Sequence, residues 1–171
     1  TKEVTKVFDF FESSFERKQY KLLFVSPFTN RRRFMNLINE EMKRAKAGKE
    51  AWIRLKLNNL VDTGMIDKLY RASAAGVRIQ LVVRGICALK AGVPGLSDNI
   101  EVRSVVGRYL EHSRFAVFAG GGDTQVYLSS ADWMTRNLDR RVEVTTPVLD
   151  PGLKAQVCLL YTSPSPRDQC L

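Results

Sequence analysis

The amino-acid sequence predicts an α/β fold in which a mixed β-sheet is flanked by helices. Apolar runs typical of strands alternate with amphipathic helical segments through the first half of the chain. After Gly95 the pattern changes to short strands separated by turns. Hydrophobic residues make up 44% of the 171 residues, which is enough to fill the core of one domain.

The first half of the chain predicts three helices, each followed by a strand. Apolar residues recur at helical spacing over residues 4–15, from Thr29 or Asn30 to Gly48, and over residues 63–75. The strands that follow these helices have the sequences KLLFV, WIRLKL and IQLVV. This repetition of strand, helix and strand predicts parallel strands joined by crossover helices.

The second half predicts four short strands, with the sequences IEVRSVV, RFAVF, QVYLSS and RVEVTTPV. The segment AGGGD between the second and third of them is typical of a hairpin-like connection. It is not a phosphate-binding loop, because no Lys followed by Ser or Thr comes after the glycines, which lie between strands. A last helix is predicted to start at LDPGLKAQV.

The carboxyl-terminal residues depart from this pattern. The segment CLLYTSPSPRD, from Cys158 to Asp168, resembles the in-frame translation of a transposon-end sequencing adapter, although a natural Ser/Pro-rich linker is the alternative. We therefore expect residues 1–157 to form one domain, truncated at both ends, and residues 158–171 to be an adapter-derived, disordered tail. The start at Thr1 rather than Met indicates an internal piece of a longer protein.

The net charge of +9 indicates a polyanionic partner. Nucleic acid, anionic lipid and a phosphate chain all fit this charge, and composition does not distinguish them. Outside the tail, Cys87 is the single cysteine, which excludes an internal disulfide or a clustered-cysteine metal site and favours a reduced, cytoplasmic setting. No apolar run approaches the ~18 residues of a membrane span, and peripheral association at a membrane stays open.

His112, the only histidine, lies two residues before Arg114 in a segment predicted to be a strand. Residues two apart share one face of a strand, so both side chains are expected to project together. A neutral imidazole can attack phosphorus, an imidazolium can protonate a leaving oxygen, and a guanidinium can hold two phosphate oxygens. The pair suits phosphate chemistry, although a lone histidine is more often a structural residue.

Other polar residues lie at predicted strand ends. Arg84 follows the strand IQLVV, at the edge of the sheet where α/β proteins usually bind ligands, although a solvated charge is the alternative. Arg141 and Glu143 are two residues apart, so the carboxylate is expected to pair with the guanidinium and orient it, within a turn that could equally be held by salt bridges alone. The polar residues of this turn are Ser129, Ser130, Asp132, Arg136, Asn137, Arg140, Arg141 and Glu143.

A basic run, Arg31-Arg32-Arg33, opens the second predicted helix. Together with Lys43, Arg44, Lys46 and Lys49 on that helix, it could form an anion-collecting surface. The more usual interpretation of such residues is a solvated helix face.

Three long segments resemble the last catalytic domain of the polyphosphate kinases that are built like phospholipase D. In chain order they are LKLNNLVDTGMIDKLYRASAAGVRIQLVVRGICAL, GLSDNIEVRSVVGRYLEHSR and VYLSSADWMTRNLDRRVEVTTPVLDP. The resemblance runs from about Thr1 to Val157. In it, His112 takes the place of the histidine in the second His-x-Lys-like motif, Arg114 replaces the lysine of hydrolytic relatives, and SSADW stands where those relatives have a Gly-Ser-x-Asn segment.

The resemblance implies a phospholipase D-like half, one of two half-sites that face each other across the active site. In that family ATP phosphorylates a histidine of the first half, absent here, which passes the phosphoryl group to polyphosphate. By resemblance Arg84 and His112 contact the nucleotide phosphates, His112 is the general acid toward ADP, and Arg141 lies among the phosphate-holding groups. The expected site comprises His112 as catalytic residue, Arg84, His112, Arg114 and Arg141 as ATP or polyphosphate ligands, and Ser130, Asn137 and Glu143 as supporting residues.

The resemblance also implies substrates, a cofactor and partners. The substrates are ATP or ADP and inorganic polyphosphate, and Mg²⁺ is the cofactor, with ligands mainly outside this chain and none expected within it. The other expected partners are the remaining amino-terminal domains of the same enzyme and further copies in a homo-oligomer, but no nucleic acid. This chain alone is expected to be inactive, because the phosphoryl-accepting histidine is missing.

Two alternative functions stay open. The first is a phospholipase D-type phosphodiesterase or transferase, against which Arg114 in place of lysine and the segment RNLDRRVEV argue. The second is a non-catalytic basic module that binds polyanions. A nucleic-acid binder would expose aromatic side chains among Arg and Lys, whereas most Phe and Trp residues here lie in apolar runs typical of a core.

Overall fold

The structure is a computed structural model that describes residues 2–12, 19–104 and 112–162, with side chains as far as residue 159. The helices within these residues are α1 (Lys2–Glu12), α2 (Asn30–Lys46), α3 (Thr63–Ala74), α4 (Thr135–Asp139) and α5 (Pro151–Thr162). The strands are β1 (Phe24–Ser26), β2 (Trp52–Leu57), β3 (Arg78–Val83), β4 (Ile100–Arg103), β5 (Phe115–Phe118), β6 (Gln125–Ser129) and β7 (Glu143–Val148).

The strands form one seven-stranded mixed sheet in the order β1-β7-β6-β5-β2-β3-β4, which confirms the predicted sheet. β2, β3 and β4 are parallel neighbours, whereas β2, β5, β6, β7 and β1 follow one another as antiparallel neighbours. Four antiparallel pairings separate β1 from β2, so these two strands run in the same direction, as predicted. They are not neighbours, however, because β1 lies at the far edge of the sheet.

The main core lies between the sheet and the helices α2 and α3. Alternate residues of β2, such as Ile53 and Leu55, are fully buried against Phe34 and Ile38 of α2 and Leu69 of α3. Because side chains of a strand alternate between faces, Trp52 and Arg54 lie on the opposite side of the sheet. The predicted amphipathic patterns of these helices and of this strand are therefore confirmed.

The opposite face of the sheet carries a smaller core under α5. Val157 of α5 packs with Phe115, Val117, Val126 and Val148 of β5, β6 and β7. The predicted helix after Asp150 is confirmed, and it covers apolar surface of the central antiparallel strands. It continues through Thr162, so residues 158–162 are helical rather than disordered as expected, and residues 163–171 lie outside the described part of the chain.

Residues at the helix termini define the ends of α2 and α3. Asp62 caps α3, since its Oδ1 accepts a hydrogen bond from the backbone N–H of Met65 over 3.0 Å. Gly48 and Gly76, each with positive φ, follow α2 and α3 at the predicted stops. Thr29 occupies the predicted position before α2, but its hydroxyl accepts from the backbone of Val25 instead of capping the helix.

Two arginines of the basic run hold the fold together rather than collecting anions. Arg31 makes paired hydrogen bonds to the carboxylates of both Asp62 and Asp139, at 2.6–2.7 Å. Arg33 donates to the backbone oxygens of Tyr20 and Lys21. The interpretation of this run as an anion-collecting surface is therefore wrong for these two residues.

The aromatic residues divide between the core and α1. Phe34, Phe115, Phe118 and Trp133 are almost completely buried, as the sequence predicts. In contrast, Phe8 and Phe11 of α1 are 64% and 63% exposed, so the expectation of core positions does not extend to this helix.

Candidate functional site

The predicted site residues assemble along one edge of the sheet. The carboxyl ends of β2, β3 and β6 meet there with the amino ends of β5 and β7, because these neighbours of β2 alternate in direction. The polar residues at these strand ends are Lys56, Asn58, Arg84, His112, Ser113, Arg114, Ser130, Asp132 and Glu143. The edge predicted from Arg84 alone is thus the place where all five strands contribute polar groups.

Arg84 is held in place by the turn that follows β2. Its Nε donates to Oδ1 of Asn58 over 3.0 Å, and the side chain is half-buried. Neither Nη group of Arg84 donates to another group within the described residues. The guanidinium is therefore tethered at one nitrogen and presents the two others, an arrangement suited to two oxygens of a phosphate.

His112 and Arg114 lie together, as the sequence predicts, although both precede β5 instead of lying within a strand. The imidazole Nε2 of His112 lies 3.3 Å from Nη2 of Arg114, and Nη1 of Arg114 lies 3.3 Å from the backbone oxygen of His112. Which nitrogen of the ring carries a proton in this contact depends on the tautomer of the imidazole. The imidazole is exposed, with its position set by the adjacent arginine.

Asp132 joins the strand ends. Its Oδ1 accepts from Nε of Arg114 at 2.9 Å and from the backbone N–H groups of Asn58 and Asn59 at 2.8 and 3.1 Å. Its Oδ2 accepts from Nδ2 of Asn59 at 3.1 Å and lies 3.5 Å from Nη2 of Arg114. Burial raises the pKa of Asp132, but the bonds from Arg114 and Asn59 outweigh burial and place the pKa below its ordinary value.

Lys56 adds a cation that the sequence reasoning did not include. This residue is only 8% exposed, and its Nζ donates to Oγ of Ser113 over 2.8 Å. Burial lowers the pKa of Lys56, and the nearby Arg84 lowers it further. The ammonium is therefore close enough to Arg84 to be affected by its charge, and it bonds to the residue next to His112.

Ser130, Asn137 and Glu143 form a second connected group. The buried Glu143 carboxylate accepts from Oγ of Ser130 and from Nδ2 of Asn137, the latter over 2.7 Å. Arg141 does not join them: its side chain is exposed and makes no hydrogen bond within the described residues. The predicted pairing of Arg141 with Glu143 assumed that both lie in one strand, but β7 begins at Glu143. The carboxylate orients Ser130 and Asn137 instead.

Asn58, Lys56 and Asp132 are the site residues that sequence reasoning missed. The sequence assigns no role to Asn58, and Asp132 lies in the polar turn without an assigned role. Lys56 lies on the polar side of β2, where its charge suggests a solvated residue. Their shared signal is position, because each lies at or just beyond the carboxyl end of a strand.

Metal and membrane features can be assessed for the described residues only. No three His, Cys, Asp or Glu side chains come together there as a set that could hold a metal ion. None of the helices described is long and apolar enough to cross a membrane.

Comparison with known proteins places this chain in a family. Residues 23–164 match the family described as "Polyphosphate kinase C-terminal domain 2". The chain is 53% identical over 157 residues to the polyphosphate kinase of Yersinia pestis, which covers 92% of this chain and 23% of that protein. It therefore spans about a quarter of the length of the curated relatives it matches.

Solved structures agree with the sequence match. The crystal structure of polyphosphate kinase from Porphyromonas gingivalis superposes with a TM-score of 0.89 at 42% identity, over 93% of this chain and 24% of that chain. Nuc from Salmonella typhimurium, a phospholipase D family member, superposes with a TM-score of 0.56 at 13% identity, over 82% of this chain and 90% of that one. At that identity the second likeness concerns the fold alone, and it confirms the predicted phospholipase D-like half.

Proposed function

The chain belongs to the polyphosphate kinase family, and from this premise we propose that it supplies one half of the active site of an ATP:polyphosphate phosphotransferase. The reaction is the reversible transfer of the terminal phosphate of ATP to inorganic polyphosphate. The observation that carries the proposal is the convergence of Arg84, His112 and Lys56 on one sheet edge of a chain that matches this family.

The transfer passes through a phosphohistidine located outside this chain. A nitrogen of that histidine attacks the γ-phosphorus of ATP, and the bond from phosphorus to the β,γ-bridging oxygen breaks. In this step the imidazolium form of His112 is the general acid, which donates a proton to the leaving oxygen of ADP and becomes the neutral imidazole. The phosphoryl group then moves from the phosphohistidine to the end of a polyphosphate chain.

The cations around His112 stabilise the charge that spreads over the phosphates during transfer. Phosphoryl transfer depends mainly on positioned positive groups of this kind. Arg84 offers two Nη groups and Lys56 lies beside it. Arg141 is exposed at the same edge, where it can reach the polyphosphate chain, while Ser130, Asn137 and Glu143 join the end of β6 to the start of β7.

Mg²⁺, which the family implies, is not assigned to residues of this chain. The carboxylates nearest the site, Asp132 and Glu143, already accept hydrogen bonds from several protein donors. The described residues therefore do not fit a magnesium site, and we place the ligands of the ion in other parts of the enzyme. Those parts, a homo-oligomeric assembly and a cytoplasmic location belong to the same proposal.

A full-length chimera tests the proposal. In it, this chain replaces the matching 157 residues of the Yersinia pestis enzyme, so that the other half-site is present. Incubation with ATP labelled at the γ-phosphate should produce acid-labile phosphohistidine and long phosphate chains. A phospholipase D-type enzyme would instead cleave a phosphodiester such as bis(p-nitrophenyl) phosphate without ATP, and that result would refute the proposal.

A further inference from the structure

The carboxylate of Asp132 contacts two separate arms of the candidate site. One arm is the turn of Asn58 and Asn59, both of whose backbone N–H groups donate to Oδ1. The other arm is Arg114, which reaches the same oxygen through Nε. The side chain of Asp132 is 6% exposed and that of Arg114 is 13% exposed, so this ion pair is largely shielded from water.

Each arm ends at a group that faces the substrate side of the edge. Asn58 holds Nε of Arg84, and Arg114 contacts Nε2 of His112. Asp132 therefore lies two contacts from both Arg84 and His112, although β2 and β5 carry the two arms. The carboxylate thus links the two arms beside the pairing of β2 with β5 and the bond from Lys56 to Ser113.

The donors of Arg114 are directed into the protein. Nε and Nη2 point to Asp132, and Nη1 and Nη2 contact the backbone and the ring of His112. This geometry leaves Arg114 poorly placed for the two-pronged phosphate contact expected from the sequence. It fits a guanidinium that positions the imidazole.

We propose that Asp132 is a positioning residue that sets the separation and orientation of Arg84 and His112, with Arg114 as its intermediary on the His112 arm. This inference rests on the proposed function, because it assigns the two arms to one phosphotransfer site.

The two arms predict different kinetic consequences in the full-length chimera. Asp132→Asn keeps the shape of the side chain but replaces one acceptor oxygen by an NH₂ group, so both arms loosen. It should lower kcat and raise KM for ATP, each by between about tenfold and 100-fold. Arg114→Lys loosens the His112 arm alone and should lower kcat by a similar factor while KM changes by less than about threefold.

A double variant and a matched control separate positioning from folding. Because the pair acts as a unit, Arg114→Lys combined with Asp132→Asn should have a kcat close to that of the worse single variant. Asp62→Asn is the control, since Asp62 is a buried aspartate bonded to Arg31 outside the candidate site. It should lower the unfolding midpoint while kcat and KM per folded enzyme stay unchanged.

A spectroscopic readout tests the inference without activity. His112 is the single histidine, so its ring C–H resonances can be followed by NMR in this chain alone. Asp132→Asn and Arg114→Lys should both move these resonances, whereas Asp62→Asn should not. If the unsubstituted chimera makes no polyphosphate, the proposed function fails while the resonances still decide the positioning role. Unmoved resonances, or kcat and KM of Asp132→Asn within about twofold of the unsubstituted enzyme, would overturn the inference.

Discussion

The Nε atom of Arg84 donates to Oδ1 of Asn58 over 3.0 Å, and this bond fixes the orientation of the amide as well as that of the guanidinium. A flipped amide would set its NH₂ group against another donor, so the orientation follows from the contact. The Nδ2 atom of Asn58 is buried and has no partner within the described residues. The site therefore retains a buried polar atom whose hydrogen-bonding capacity is unused, because the amide is committed to Arg84.

Replacing Asn58 should weaken ATP binding through Arg84. In the chimera Asn58→Ala removes the acceptor, and we expect KM for ATP to rise between about tenfold and 100-fold, since a hydrogen bond to a charged group is lost. Gln80→Ala is the matched control, because Oε1 of Gln80 accepts from Nε of Arg54 at the same 3.0 Å but away from the edge. Equal KM values for the two variants would show that the tether has no part in binding.

The stability of the chain should fall in acid through Asp62 and Asp132. Burial raises the pKa of Asp62, but the bonds from Arg31, Thr135 and Met65 outweigh it and bring the pKa below its ordinary value. Since the unfolded-state pKa is about 3.9, the stabilising contribution is complete above about pH 5 and is lost as the pH falls through the lower folded-state pKa.

Urea unfolding between about pH 7 and pH 3 checks this dependence. The free energy of unfolding should decrease over the acid part of the range. Asp62→Asn should lower it at neutral pH and make its decrease in acid smaller, because the substituted side chain does not titrate. A decrease of unchanged size in Asp62→Asn would contradict the assignment to this carboxylate.

The sequence predicts the elements and the edge because both depend on local pattern. Burial periodicity identifies β2, β3, α2 and α3, and the end of a strand identifies Arg84. The order of strands is not local: β1 pairs with β7, about 120 residues away along the chain, and only the finished sheet shows it. His112 and Arg114 meet as predicted, although both lie just before β5 rather than within it.

The partners of the charged groups were largely beyond sequence reasoning. Arg31 bonds to residues 31 and 108 positions away, and Asp132 bonds to the backbone of residues 73 and 74 positions away. The spacing of residues along the sequence does not reveal such long-range contacts. Where spacing was used for Arg141 and Glu143, it failed because alternation of side chains applies within a strand, and Arg141 precedes β7.

This chain by itself should bind long polyphosphate weakly and without kinase activity. With a net charge of +9 it attracts polyanions, and the attraction should decline steeply as added salt shortens the screening length to about 10 Å at 0.1 M. Titration of the folded chain with polyphosphate at low and high salt measures the affinity. ATP-dependent chain growth by this chain alone would contradict the shared active site.

Two arginines at opposite ends of β3 allow binding at the candidate site to be distinguished from attraction by net charge. Arg84 follows the carboxyl end of the strand, whereas Arg78 begins it and is largely exposed beside Glu50. Arg84→Gln and Arg78→Gln remove the same charge, yet Arg84→Gln should weaken polyphosphate binding more. Equal losses would mean that binding depends on net charge rather than on the edge.

The most direct test of the account is the turnover of the full-length chimera with His112→Gln. The exposed imidazole contributes little packing, so the variant should keep its unfolding midpoint. Loss of the general acid should reduce ATP-dependent polyphosphate synthesis by about 10²–10⁴-fold. A folded His112→Gln enzyme with turnover close to that of the unsubstituted chimera would contradict the central claim that this histidine protonates the leaving ADP.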